Sequence, residues 1–296
     1  MSYTRYSRSE WASLPKYISQ DSITHLPNLL SDIELDAFYI PLASFIGILY
    51  RNHLKCKADL QHFFNKETKA IPFLVGVAGS VSAGKSTFSE SIAQLFEGLP
   101  GSPKTTIVST DQFLYKNEIL EARELKDLKG FPESYDWKNL LHTLQTIKSG
   151  KSTDVPIYSH ETYDILPDET QHVESPDILI VEGINTLQVG INGEDLPSLF
   201  DISLYLDAEE EDLFSWFWTR ILQFKEKAKE DPSSYYHAFK DMPEEQLHQM
   251  AKTVWDTING KNLREHILPT KEKADIIVKK ASDHTINEIQ ISETLL

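Results

Sequence analysis

The chain has 296 residues, of which 40% are hydrophobic and 25% charged, and its formal net charge is −16. This composition excludes a disordered or fibrous protein, and the length suits one large α/β domain with appended elements. Because the strong negative charge repels polyphosphate backbones, nucleic acid is not expected as a partner, although a local basic pocket can still bind a small anion.

The N-terminal part of the chain shows no targeting signal. Residues 1–14 contain no apolar run of the kind found in signal peptides, so we expect a cytoplasmic protein. One long uncharged stretch, residues 37–50, is too short to cross a bilayer. We interpret it as a core helix, with a subunit contact as the alternative, and expect no membrane partner. The single cysteine, Cys56, is interpreted as structural.

A glycine-rich stretch fits the phosphate-loop pattern of two glycines five positions apart followed by Lys and Ser. An apolar run at residues 71–78 suits a buried strand before it, and residues 87–96 suit a helix after it. In such a unit, backbone N–H groups at the helix N-terminus bind phosphate oxygens, Lys neutralises the β- and γ-phosphates, and Ser ligates Mg²⁺. These flanks favour a site for ATP and Mg²⁺ over a chance Gly/Ser-rich turn. The candidate residues are Gly79, Ser80, Val81, Ser82, Ala83, Gly84, Lys85, Ser86 and Thr87.

Strand and helix patterns alternate after the loop. This alternation predicts an α/β fold with a mainly parallel sheet covered by helices on both faces. We expect a helical N-terminal extension in residues 1–70, packed against a core of residues 71–296 in a single domain. The predicted strands are residues 105–110, 178–181, 202–206 and 274–278, and a charged helix is predicted at residues 209–229.

Two predicted strands end in a carboxylate. Asp111 follows one of them, and Glu182 ends another. Because ligands of open α/β sheets bind at the carboxyl ends of strands, both side chains are candidates for phosphoryl-transfer chemistry. Asp111 can accept the proton of an attacking hydroxyl while Glu182 serves the Mg²⁺ shell, although the sequence alone allows these roles to be exchanged. The structural alternative for Asp111 is a helix N-cap.

Two further candidates come from the middle of the chain. Arg220 falls at helical spacing with Trp216, Phe217 and Phe224, and it either stabilises charge on the moving phosphoryl group or forms a surface ion pair with a Glu. His160 lies in a polar, aromatic segment typical of a loop around a small-molecule pocket. The residues themselves leave a ligand contact and a structural role for His160 equally open.

Taken together, these motifs resemble bacterial type I pantothenate kinases over nearly the whole chain. The phosphate loop is shared by many kinases, but residues 130–136 together with 158–160 are far more specific. The resemblance rests on residues 39–42, 79–87, 109–111, 129–136, 158–160, 163–164, 181–185, 220, 231–232, 234–235, 258–259 and 267–270.

The resemblance implies a homodimeric P-loop kinase that uses ATP and Mg²⁺ to phosphorylate pantothenate on its primary hydroxyl, the first committed step towards coenzyme A. It also implies that coenzyme A inhibits by competing with ATP. By motif position, Asp111 matches the catalytic base, and Lys85 and Ser86 match the phosphate and Mg²⁺ contacts. Arg220 matches the basic residue near the transferred phosphoryl group, and the pantothenate contacts match Tyr158, His160 and Asn259.

Three residues depart from the family pattern. Phe217 stands where the family has Tyr, and one lost hydrogen bond to the substrate weakens binding by about 0.5–1.5 kcal/mol. Glu90 replaces an expected Arg on the first helix, which should disfavour the phosphates of coenzyme A. Gln112 replaces Gly after Asp111, and it either narrows the pocket or offers Asp111 an amide contact.

Two other functions are compatible with the sequence. The departures at Phe217 and Gln112 would suit a P-loop kinase for another small hydroxyl compound, such as a nucleoside or a pantothenate analogue. A nucleotide-binding regulator without transfer activity is the other alternative, and the retained Asp111, Glu182 and Arg220 argue against it.

Overall fold

The computed structural model describes residues 2–18, 31–66 and 71–296. Within them, the strands are β1 Tyr3–Ser7, β2 Phe73–Gly79, β3 Thr105–Ser109, β4 Thr153–Ser159, β5 Asp164–Val173, β6 Ile178–Glu182, β7 Ile202–Asp207, β8 Ile276–Lys280 and β9 Ile286–Ser292. Seven of them form one sheet, and β4 and β5 form a separate antiparallel hairpin.

The large sheet has the order β1-β9-β8-β7-β2-β6-β3. Strands β8, β7, β2, β6 and β3 pair in parallel, whereas β9 pairs antiparallel with both β8 and β1. The prediction of a mainly parallel sheet is therefore confirmed. The parallel strands place their carboxyl ends at one edge, where the phosphate loop follows β2, Asp111 follows β3 and Glu182 is the last residue of β6.

Helices cover both faces of the sheet. The helical segments are α1 Arg8–Ala12, α2 Asp32–Glu34, α3 Ile40–Phe64, α4 Lys85–Glu97, α5 Asn117–Ala122, α6 Trp137–Lys148, α7 Glu210–Ala228, α8 Glu244–Val254 and α9 Gly260–Asn262. A π-helical turn, Leu35–Tyr39, joins α2 to α3.

The central strands are buried on both faces, which explains their continuous apolar sequences. Successive side chains of a strand point to opposite faces. Val75 and Ile180 accordingly pack in the core that contains α3 and α4. Their neighbours Leu74 and Leu179 pack in a second core with α6 and the β4–β5 hairpin.

The long apolar helix near the N-terminus is a core helix. The continuous helical segment Asp32–Phe64 is long enough to cross a membrane, and its most apolar window has a mean hydropathy of 1.5. However, 67% of that window is buried inside the fold. The residues Leu42, Ala43 and Ile46 in the predicted uncharged run are fully buried, as expected for a helix that packs on the sheet.

The N-terminal extension is not entirely helical. Its helix is present, but Tyr3–Ser7 forms a strand that pairs with β9 at the edge of the main sheet. Strands β1 and β9 and the hairpin were absent from the prediction. They lack the apolar runs of β2 and β6, because β1 and the hairpin lie at or outside the edge of the sheet, whereas β9, between β1 and β8, interrupts its buried isoleucines with polar residues.

Candidate active site

The phosphate loop connects β2 to α4. Gly84 is the N-cap of α4 and adopts a left-handed conformation with φ 83°, which glycine tolerates without strain. A Cβ atom at Gly79 would lie 2.7 Å from the carbonyl oxygen of Leu206 on β7. Glycine at position 79 lets the loop pass close to β7, and glycine at position 84 lets it turn into α4, whose N-terminus stabilises an anion.

The polar side chains of the loop are arranged for an anionic ligand. The Lys85 ammonium donates a hydrogen bond to the carbonyl oxygen of Ser80 at 2.8 Å. Burial lowers the pKa of Lys85, while the nearby carboxylates of Glu182 and Asp111 act in the opposite direction. The buried hydroxyl oxygens of Ser80 and Ser82 have no hydrogen-bond partner within the described residues. Unpaired buried hydroxyls are costly, so the loop fits a ligand with oxygen acceptors such as phosphate.

A hydroxyl and a carboxylate meet beside the loop. The Ser86 hydroxyl donates to Glu182 Oε1 at 3.2 Å. Burial raises the pKa of Glu182, and Lys85 opposes that shift. No group of three or more His, Cys, Asp and Glu side chains in the described residues could hold a metal ion alone. The pair matches the protein's share of a Mg²⁺ shell in which substrate phosphates supply the other ligands.

Asp111 lies in the 3-10 turn Thr110–Phe113 that follows β3. The Tyr135 hydroxyl donates to Asp111 Oδ1 at 3.2 Å. Burial raises the pKa of Tyr135, so its phenol remains a donor. Tyr135 was missed by the sequence analysis, although it lies in the motif at residues 129–136, because a contact across 24 positions leaves no periodic signal.

A cavity of about 210 Å³ opens beside Asp111. The β4–β5 hairpin supplies Tyr158 and His160, whose rings lie 5.2 Å apart in an edge-to-face contact. Burial lowers the pKa of His160, and Asp111 partly offsets this effect. His160 is therefore a neutral imidazole near neutral pH. The residues around the cavity are Ile107, Ser109, Asp111, Gln112, Ile157, Tyr158, His160, Gln171 and Glu182.

Lys129 is a second residue that the sequence analysis missed. Its ammonium lies 4.1 Å from the ring centre of Tyr163 and 5.3 Å from that of Tyr158. It donates to Asn117 Oδ1 at 2.7 Å. Burial lowers the pKa of Lys129 to about 8, against the attraction of Asp164 and Asp111. A buried ammonium beside the cavity adds an attractive field for an anionic substrate.

Arg220 lies on α7 and faces this group of residues. Its guanidinium lies 5.2 Å from the ring centre of Phe224. Its charge acts on Lys85 and His160, whose pKa values it helps to lower. No ion pair among the described residues involves Arg220, which disfavours the surface ion pair considered above.

The structure does not bring every predicted residue into the cavity wall. Phe217 is half-buried and packs against Trp255, with ring centres 5.5 Å apart. Asn259 ends the π-helical segment that begins at Trp255. Neither lines the cavity beside Asp111. Glu90 is exposed on α4, and Gln112 lies in the cavity wall with its amide turned towards the hairpin.

One further cation supports the phosphate loop from outside. Lys280 on β8 donates to the carbonyl oxygen of Ala83 at 3.0 Å, and its ammonium lies 5.1 Å from the Trp216 ring. Burial lowers the pKa of Lys280 to about 8. The predicted strand at residues 274–278 ended before Lys280, and its role was not predicted because its contact spans 197 positions.

Comparisons with known proteins identify the family of the chain. Residues 74–228 match the model of the phosphoribulokinase/uridine kinase family. The chain is 39% identical to a pantothenate kinase of Shouchella clausii, with 98% of this chain and 96% of the relative covered. It is 36% identical to a pantothenate kinase of Photorhabdus laumondii at the same coverage.

A solved structure supports the fold alone. The D-glycerate 3-kinase of Cryptococcus neoformans var. grubii superposes with a TM-score of 0.52 at 15% identity, covering 83% of this chain and 97% of that one. With the phosphate loop, the two carboxylates and the near full-length relatives in place, the chain belongs to the family of bacterial pantothenate kinases within the P-loop kinase superfamily.

Proposed function

We propose that the protein transfers the γ-phosphoryl group of ATP to the primary hydroxyl of pantothenate and so forms 4′-phosphopantothenate for coenzyme A synthesis. The observation that carries this proposal is the near full-length identity of 35–39% to pantothenate kinases. It is supported by a cavity that joins Asp111 to Glu182 beside the phosphate loop.

ATP and Mg²⁺ fit the residues present. When bound, they supply the phosphoryl group and neutralise its charge. We assign the phosphates to the loop from Gly79 to Thr87, with Lys85 on the β- and γ-phosphates. Ser86 and Glu182, already paired at 3.2 Å, would serve the Mg²⁺ shell.

Asp111 is assigned as the general base. Its carboxylate lies at the cavity, and the Tyr135 hydroxyl holds one of its oxygens, which leaves the other free to accept a proton. Arg220 is assigned to the charge on the transferred group, since a guanidinium is never deprotonated in the working range. Both assignments follow the family motifs and the electrostatic contacts described above.

Tyr158 and His160 are assigned to the acceptor, because both line the cavity and both have polar atoms for a carboxylate or an amide. The roles of Phe217 and Asn259 rest on the resemblance, supported by the position of Phe217 one turn before Arg220 on α7.

We also propose a cytoplasmic homodimer. Support comes from the C-terminal half of α3, where large apolar side chains are exposed. Phe63 is 79% exposed, and a surface groove of about 450 Å³ runs beside it. The exposed apolar residues are Leu54, Leu60, Phe63 and Phe64.

We also propose that coenzyme A competes with ATP. The exposed Glu90 should weaken the binding of coenzyme A, because a carboxylate repels its phosphates.

A coupled ADP-release assay tests the function. Purified protein is given ATP and Mg²⁺ with pantothenate, uridine or D-glycerate as acceptor, and coenzyme A is titrated in parallel. We expect turnover with pantothenate to exceed turnover with the other two. A preference for uridine would instead assign the chain to nucleoside phosphorylation. ADP release that none of the three acceptors accelerates would mean hydrolysis of ATP by water and would contradict the proposal.

A further inference from the structure

The side chain of Gln112 connects two parts of the acceptor site. Gln112 is 9% exposed and follows Asp111 directly. Its Oε1 accepts a hydrogen bond from the backbone N–H of Ser109 at 2.9 Å, which closes the turn that carries Asp111. Its Nε2 donates to the carbonyl oxygen of Pro156 on β4 at 2.8 Å. One buried amide therefore joins the base-bearing turn to the hairpin.

A second amide extends this connection. Gln112 Nε2 also donates to Gln171 Oε1 on β5 at 3.2 Å. Gln171 Nε2 in turn donates to the carbonyl oxygen of Ile107 on β3 at 3.1 Å. The two glutamines thus link both strands of the hairpin to two positions of β3, Ser109 and Ile107. Neutral amides make these bonds without adding a charge beside Asp111.

The point of attachment lies where the hairpin changes its register. The pairing of β4 with β5 is regular as far as Pro156 and Thr170, and then shifts so that Tyr158 faces Ile165. Such irregularities re-aim the side chains that follow them and are common beside active sites. Here the side chains that follow are those of Tyr158 and His160, which line the cavity. The Gln112 amide holds the carbonyl just before the shift.

We propose that Gln112 and Gln171 are positioning residues whose amides hold the β4–β5 hairpin against the end of β3. This attachment sets the spacing between Asp111 and the acceptor-binding pair Tyr158 and His160. The proposal rests on the assignment of this cavity to the acceptor hydroxyl compound. Glycine, which the family pattern has at position 112, has no side chain that could make these hydrogen bonds. The departure at Gln112 therefore fixes the acceptor pocket instead of contacting Asp111.

The test uses near-isosteric variants that remove the amides while keeping side-chain length. Gln112→Met and Gln171→Met are compared singly and together, so that the second variant stands if the first folds poorly. Gln290→Met is the matched control, because Gln290 is a half-buried strand residue on β9, towards the opposite edge of the sheet. Its amide donates only to Glu288 Oε1 among the bonds that the structure describes.

The readouts separate positioning from general stability. We expect each site variant to raise the KM for pantothenate by roughly three- to tenfold, with the KM for ATP changed by less than about twofold. The double variant should be less than additive, because both changes break one chain of bonds. Amide hydrogen exchange should accelerate in residues 153–173 and not in α4, and Gln290→Met should change neither readout.

Three results would overturn the positioning role of Gln112 and Gln171. They are an unchanged KM for pantothenate, a parallel rise in both KM values with a lowered Tm, or fully additive effects in the double variant. If the wild-type protein does not phosphorylate pantothenate, the proposed function fails separately. The exchange measurement on the hairpin then still decides whether the two glutamines hold it.

Discussion

At the scale of single residues, the site separates its two carboxylates by environment. Glu182 is buried at the end of β6 against Ser86 and Lys85, and burial raises its pKa. Asp111 lies at the open cavity with one oxygen held by Tyr135. This difference supports the division of roles in which Asp111 meets the acceptor and Glu182 faces the nucleotide.

The base assignment predicts a large kinetic effect for an isosteric change. Asp111→Asn retains an oxygen for the hydrogen bond from Tyr135, but its amide cannot take up the proton of the substrate hydroxyl. We therefore expect kcat to fall about 10²- to 10⁴-fold. Tight ATP binding should persist, as measured by titration of a fluorescent ATP analogue. A variant with near wild-type kcat would contradict the assignment.

The lowered pKa of Lys129 leads us to expect that kcat/KM for pantothenate falls at alkaline pH. Its pKa is lowered to about 8, so its positive charge is present below that pH and lost above it. Because pantothenate is an anion, kcat/KM for pantothenate should decline as the pH rises through this value. The measurement is a pH profile of kcat/KM, with Lys129→Met expected to remove the alkaline decline. A decline of the same size in that variant would assign it to another group.

Several residues of the site were visible in the sequence, and others were not. Lys85, Asp111 and Glu182 each follow a strand pattern at a fixed position, so local sequence identifies them. Tyr135 and Lys129 act through contacts with distant residues, which no local pattern encodes. The same limit applied to Gln112, whose partners only the folded hairpin reveals.

At the scale of elements, the end of β6 is pressed against the turn that carries Asp111. A Cβ atom at Gly183 would lie 1.8 Å from the Thr110 hydroxyl oxygen, and the Thr110 side chain is fully buried. The absence of a side chain at Gly183 therefore sets how closely Glu182 and Asp111 approach each other.

Gly183→Ala should force β6 and the turn apart. We expect a loss of about 1–3 kcal/mol in the free energy of unfolding, the usual cost of overpacking a core. Activity should fall further than stability explains, because both carboxylates move. Urea unfolding and kcat at saturating substrate measure the two effects. Gly193→Ala is the reference for backbone strain without overpacking, since Gly193 has φ 86° and its Cβ would meet nothing within 4 Å, so Gly183→Ala should cost more than this variant. Wild-type activity in Gly183→Ala would contradict the close approach.

The elements themselves were predictable to different degrees. Strands β2, β6 and β7 are buried on both faces, so they have continuous apolar sequences that local reading detects. Strands β1 and β5 expose side chains along much of their length, and β9 interrupts its buried isoleucines with polar residues, so none of the three has an apolar run that local reading detects. Pairing, rather than composition, creates these strands.

At the scale of the whole molecule, the exposed apolar end of α3 predicts self-association. Phe63→Glu places a charge on the proposed contact and should shift the protein from dimer to monomer in light scattering coupled to gel filtration. Gln145→Glu adds the same single negative charge at an exposed position on α6, away from α3, and controls for charge alone. A protein that is monomeric before any substitution, or a dimer unaffected by Phe63→Glu, would place the interface elsewhere.

We propose that this fold phosphorylates pantothenate on its primary hydroxyl. The most direct measurement is the phosphorus NMR spectrum of a reaction containing pantothenate, ATP, Mg²⁺ and the wild-type protein. We predict a new phosphomonoester signal that appears together with ADP and is coupled to the methylene protons next to the primary hydroxyl. Consumption of ATP to inorganic phosphate alone, or no new ester signal, would contradict the account.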